Sequence, residues 1–135
     1  MTARCAAAIA ALRLFLAATP LAARHSFAAE YDVSKPVTLT GEVSRIEWTN
    51  PHARMYINVN DGNGSVTEWK LELASPKVLV SQCGWKVNFV RVGDQLTIEG
   101  ARAKDGTAWA NVRVVTLADG RWLSAGSSGG DVAPK

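Results

Sequence analysis

From Val37 onward the chain alternates apolar and polar residues, and this period of two constrains its fold more than any other feature. Val37, Leu39, Gly41 and Val43 stand opposite Thr38, Thr40 and Glu42, the arrangement a strand needs when only one of its faces is buried. Beyond Val43 the apolar phase slips to Ile46 and Trp48. Such a slip predicts a bulge or bend that lets one long strand serve two sides of a closed sheet. Met55, Ile57 and Val59 repeat the pattern in a second strand, with Arg54, Tyr56 and Asn58 on its other face. Asp61-Gly62-Asn63-Gly64 offers residues that accept positive φ, so it reads as a hairpin. It leads into a third strand with Thr67, Trp69, Leu71 and Leu73 inward and Glu68, Lys70 and Glu72 outward.

Ser75-Pro76 then interrupts the alternation as a helix start, with serine as the cap and proline in the first turn. A short helix over Lys77 to Cys83 follows, closed by Gly84, with Leu79 and Cys83 on one face. Trp85 to Val92 is a link. Gly93-Asp94 turns into a fourth strand carrying Leu96, Ile98 and Gly100 on one side. After the Lys104-Asp105-Gly106 turn, Ala110, Val112 and Val114 form a fifth strand toward Leu117, and Arg121-Trp122-Leu123 is a candidate edge segment. Three strands, a helix and two strands is the order of a small all-β, five-stranded Greek-key (OB-like) barrel with one short helix between strands 3 and 4. A two-sheet sandwich is the alternative. In the barrel, Leu39, Gly41, Val43, Ile57, Trp69, Leu71 and Ile98 share the interior.

The first residues read differently. Met1-Thr2-Ala3-Arg4 opens an alanine-rich stretch, Leu14 to Ala18 is a short apolar core after Arg13, and Pro20-Leu21-Ala22-Ala23 is a small-residue exit. Residues 1–23 are therefore expected to be a signal peptide, which implies a periplasmic or secreted protein with no stable membrane anchor after processing. The uninterrupted apolar run falls far short of the roughly 20 residues a membrane span requires. The expected organisation continues with an N-terminal arm over 24–36, the barrel over 37–125 and a glycine- and serine-rich disordered tail over 126–135.

Processing also changes the charge. The full chain has 15 Lys and Arg against 12 Asp and Glu, and loss of Arg4 and Arg13 brings the two counts to near balance. On that basis nucleic acid is excluded as a partner, because phosphates call for clustered basic residues. Cys83 becomes the only cysteine and reads as a small buried hydrophobe.

His25-Ser26-Phe27-Ala28-Ala29-Glu30-Tyr31-Asp32, Val37 to Val43, and Glu47-Trp48-Thr49-Asn50-Pro51-His52-Ala53 together resemble a bacterial exported family catalogued as a domain of unknown function, number 6152. Gly93-Asp94, Ala103 to Gly106 and Leu117 to Arg121 extend the resemblance over nearly all of the expected mature chain. Asn-Pro-His with its flanking tryptophan is the most specific mark. The resemblance implies a small periplasmic protein of unassigned activity. The family pattern places two histidines after the cleavage site, and here Arg24 occupies the first of those positions.

Three functional classes follow. The first is a non-catalytic binding module for a small or peptidic ligand, with Trp48, Asn50, His52, Arg54, Tyr56 and Asn58 as candidate ligand-binding residues. The second is a copper-handling protein in which His25, His52 and the Arg24 amine hold Cu(II), since nitrogen donors in a tetragonal set suit that ion. The third is a domain that contacts an envelope protein through Trp48 and the Asn50-Pro51 loop. Structural readings compete for the same residues. Asn50-Pro51 initiates a turn and His52 can pin it through a carbonyl, while Trp69 is in phase with the core. No enzyme is expected, because the chain has no nucleophile elbow, metalloprotease helix or glycine-rich phosphate loop.

Overall fold

The structure is a computed structural model and describes residues 27–126. The expected signal peptide, Arg24, His25 and residues 127–135 of the expected tail lie outside the described residues. After a helical turn at residues 27–30, the elements are β1 (Tyr31–Glu47), β2 (Arg54–Asn60), β3 (Val66–Glu72), α1 (Pro76–Gln82), β4 (Gln95–Ala103), β5 (Trp109–Leu117) and β6 (Trp122–Ser124). β1 is long enough to pair with two partners. Its Val37–Glu42 half runs antiparallel to β4, and its Glu42–Glu47 half runs antiparallel to β2.

The pairing of β1 with β2 shifts register between Val43 and Arg45, where the apolar phase slips. The extra residue, Ser44, donates its hydroxyl to Glu68 at 3.0 Å. Just before the bend Gly41 faces the second strand so closely that a Cβ there would sit 2.5 Å from the Asn58 carbonyl oxygen. A side chain at this point would force β1 and β2 apart, so the bend requires glycine. β2 pairs with β3 across the hairpin, β4 with β5, and β5 with β6. A parallel pairing of Lys70–Glu72 with Trp109–Asn111 joins β3 to β5 and closes β1, β2, β3, β5 and β4 into a ring.

The candidate edge segment at Arg121-Trp122-Leu123 is realised as β6, a sixth strand of three residues that lies outside the ring and pairs with β5. One feature differs from the sequence expectation. β1 begins at Tyr31 rather than at Val37, so part of the expected 24–36 arm is strand. Tyr31 and Asp32 pair with Ala103 and Arg102, and pairing resumes only at Pro36. Between them Ser34 donates both its backbone N–H and its hydroxyl to the Asp32 carboxylate, and this local turn removes the alternation by which a strand is recognised.

The inward phases of the strands meet inside the ring. Val43, Met55, Ile57, Leu71, Ile98, Val112 and Val115 are all fully enclosed there. Each such side chain contributes about 1.5–3 kcal/mol relative to an exposed one, which identifies this cluster as the main stabilising element. α1 adds Leu79 to the same cluster. The Ser75 hydroxyl caps its start by accepting from the Val78 N–H at 3.3 Å. Gly84, at φ 74°, lets Trp85 N–H turn back to the Leu79 carbonyl at 3.0 Å. Trp85 is thereby buried, with its indole N–H donating to the Ser124 carbonyl at 2.7 Å and Trp48 packed edge-on at 6.1 Å. Among the described residues no helix is long and apolar enough to cross a membrane.

Candidate binding surface

The side chains that leave β1, β2, β3 and β5 away from the interior form rows across the strands, set by the register. In one row Arg45 stands opposite Tyr56, Tyr56 opposite Lys70 and Lys70 opposite Trp109. Cations and aromatic rings alternate along it. The Arg45 guanidinium lies 3.8 Å from the Tyr56 ring centroid, and the Lys70 ammonium lies 4.1 Å from that of Trp109. Both distances are well inside the range in which a ring face attracts a cation. Arg45 also approaches Glu47 at 3.5 Å, whereas Lys70 forms no ion pair among the described residues.

The adjoining row is buried deeper and is more polar. Glu47 stands opposite Arg54, Arg54 opposite Glu72 and Glu72 opposite Asn111. The Asn111 amide donates to Glu72 at 3.3 Å. On the next stretch of β5, Arg113 forms an ion pair with Glu99 at 3.0 Å. Tyr31 packs edge-on against Trp109 at 6.0 Å and against Phe27 at 5.4 Å, so residues 27–32 cover part of this polar surface.

Tyr31 Oη, Arg54 Nε and Trp109 Nε1 are all enclosed with no hydrogen-bond partner. Such groups are uncommon in a packed protein and each is costly. Burial first, and the negative charge of Glu72 second, push the Tyr31 phenol far above its ordinary pKa of 10.0. The carboxylate acts on the phenol first through its charge and less strongly as a loose acceptor outside ordinary hydrogen-bond geometry.

The candidate residues read from sequence divide into two groups. Trp48 packs on Trp85 at the α1 end, while Asn50 and His52 are exposed in the turn before β2, where the Asn50–Pro51 bond is cis. His52 Nδ1–H donates to the Leu73 carbonyl at 3.2 Å. Arg54 and Tyr56 belong to the two outer rows, and exposed Asn58 follows them along β2 between Glu42 and Glu68. Glu72 was already outward in the alternation of the third strand, whereas Arg45, Trp109, Tyr31 and Asn111 join the surface through register, which alternation within one strand does not reveal. His25 lies outside the described residues, among which no three potential metal ligands cluster.

The family of unknown function DUF6152 matches residues 11–111. This chain belongs to that family. Membership in DUF6152 carries no assigned activity, and no curated protein matches the chain. Among solved structures, the mitochondrial single-stranded DNA-binding protein Rim1 from S. cerevisiae is similar over 62% of this chain and 93% of its own, with 12% identity and a TM-score of 0.48.

One sequence expectation is corrected here. Nucleic acid was excluded on charge balance, and that exclusion is withdrawn, because the charge sum of the chain does not describe its local surfaces. The physical error lies in using a whole-surface sum for a local property. A near-neutral chain can still place two cations and two rings in one row, as Arg45, Tyr56, Lys70 and Trp109 show.

Proposed function

We propose that this protein is an exported, non-catalytic binding module whose five-stranded ring is an OB-like barrel and whose ligand, small or peptidic, lies across the outer face of β2 and β3. The observation that carries this reading is the row of Arg45, Tyr56, Lys70 and Trp109, in which two cations are held in place on two rings. A cation seated on a ring has already lost side-chain freedom, so a ligand that engages it loses less on binding. Lys70 has no competing ion pair among the described residues, which favours ligands carrying a carboxylate or another anionic group. The closed pairing of β3 with β5, and α1 lying between β3 and β4, support the OB-like assignment. Export is supported by the short apolar core and small-residue exit of residues 1–23.

Titration with triglutamate, followed through indole fluorescence and amide shifts, tests the proposal. Binding should perturb Trp109 and Tyr56, weaken with added salt, and fall about five- to tenfold in Lys70→Ala, the scale of one charge-assisted contact. A response confined to other surfaces, or equal affinity in Lys70→Ala, refutes the row as the ligand face.

A further inference from the structure

Between Glu72 and Asp94 the chain carries no acidic residue, and this stretch contains α1 and the link that follows it. Leu79, Trp85 and Val90 anchor it, each buried in the interior cluster. The residues between these anchors face outward. Lys77, Lys86 and Arg91 are exposed and form no ion pair among the described residues. Val80 is 51% exposed, and Val87 and Val92 are each 66% exposed, so half of the large hydrophobic side chains that stand out among the described residues fall in this one stretch. Phe89, half-buried, adds a ring with the Lys86 ammonium 5.4 Å and the Arg121 guanidinium 5.8 Å from its centroid. The acids at the border are already engaged: Asp94 accepts the Arg91 N–H at 2.8 Å, and Asp119 pairs with Arg121 at 2.7 Å.

Cations and exposed valines are interleaved, Val87 following Lys86 and Val92 following Arg91. A soluble polyanion would satisfy the cations and leave the valines in water, whereas an apolar peptide would do the reverse. An anionic bilayer surface meets both needs, because its phosphates complement the unpaired cations and its acyl boundary, directly beneath, accepts short apolar side chains.

We propose that α1 and residues 84–93 form a peripheral docking surface for an anionic lipid bilayer, with Lys77, Lys86 and Arg91 on the phosphates and Val80, Val87 and Val92 at the acyl boundary. Contact of this kind is reversible and needs no membrane-spanning helix. The assignment does not depend on the row of Arg45, Tyr56, Lys70 and Trp109 binding anything.

Co-sedimentation of the full chain with vesicles of phosphatidylglycerol and phosphatidylcholine, compared with phosphatidylcholine alone, tests this assignment. Binding should require phosphatidylglycerol, weaken with added salt and slow amide hydrogen exchange in residues 77–92. Lys86→Ala and Arg91→Ala should each lower affinity about fivefold, the effect of one basic side chain at a charged surface. Lys35→Ala makes the same change of charge at an exposed position beside the opposite end of β4 and should alter affinity by less than about twofold, because added salt screens a distant charge. Val87→Ser combined with Val92→Ser preserves the charge and should lower affinity about tenfold through lost apolar contact. All these positions are exposed, and unchanged thermal unfolding checks that the variants fold. The proposal is overturned if the wild type does not prefer phosphatidylglycerol, if exchange in residues 77–92 is unaffected, if Lys35→Ala costs as much as Lys86→Ala, or if the folded valine variant keeps full affinity. It is equally overturned if polyglutamate or oligothymidylate binds as tightly as the vesicles, which would make an acidic protein or a nucleic acid the partner.

Discussion

The inside of the ring and the outer face beneath residues 27–32 are both enclosed, yet they are built to opposite standards. Inside, Ile57, Leu71, Ile98 and Val112 pack in one apolar cluster, and their side chains carry no polar atom to satisfy. Outside, Arg54, Glu72, Asn111 and Tyr31 crowd together, and three donor atoms have no partner. Burial of apolar surface stabilises the first region, while enclosure of unmatched donors destabilises the second. The difference teaches that one region holds the fold together and the other is kept polar for reasons that stability alone does not supply.

Trp69 gives the largest test of that contrast, because it closes the interior on the β3 side and is 8% exposed. Its ring meets the core cluster, and the Arg102 guanidinium lies 5.2 Å from its centroid. Trp69→Ala should cost about 3–5 kcal/mol in urea unfolding, the usual penalty for emptying a large aromatic site. A loss below about 1 kcal/mol would mean that the interior is open there, and the two regions would no longer differ in kind.

Tyr31→Phe approaches from the other side and should have the opposite sign. Removing an enclosed hydroxyl that has no partner should leave the protein equally stable or stabilise it by about 1 kcal/mol. A clear loss of stability would show that the phenol is satisfied, and the outer face would then resemble the interior in quality. The same variant has a pH signature. The folded phenol holds its proton well above 10.0, so above that value the unfolded chain binds fewer protons than the folded one. Stability contributed by this group is complete below pH 10 and is lost as the pH rises beyond it. Denaturant unfolding between pH 8 and 10.5 should show that decline in the wild type and a shallower one in Tyr31→Phe.

The two regions were unequally legible in the sequence, for the same physical reason that separates them. Interior positions announce themselves within a single strand, so Ile57, Leu71 and Ile98, and even the bulge after Val43, follow from period two. Outer rows are made by register between strands. Tyr56 and Arg54 were visible as outward residues of β2, but Arg45 over Tyr56 and Trp109 beneath Lys70 depend on pairings across β1, β3 and β5. The parallel contact of β3 with β5 joins segments separated by α1 and β4, and no local pattern encodes it. Tyr31 was hidden by the Asp32–Ser34 turn, which breaks β1 before its alternation begins.

His52→Ala should give the smallest effect, and it probes the rim where the interior ends. The ring nitrogen donates to the Leu73 carbonyl at 3.2 Å, while the next residue, Ala53, is buried and exchanges backbone bonds with Leu73 and Ala74. Two backbone bonds thus hold the entry to β2 without the imidazole, and the His52 side chain adds a third at an exposed position. Its loss should cost about 0.5–1 kcal/mol, the lower part of the range for a hydrogen bond, because water replaces it readily. Thermal unfolding of the wild type and variant measures this directly. A cost above about 2 kcal/mol would mean that the turn of Asn50, Pro51 and His52 is part of the stabilising interior and not a rim, and the boundary between the two regions would move outward by one turn.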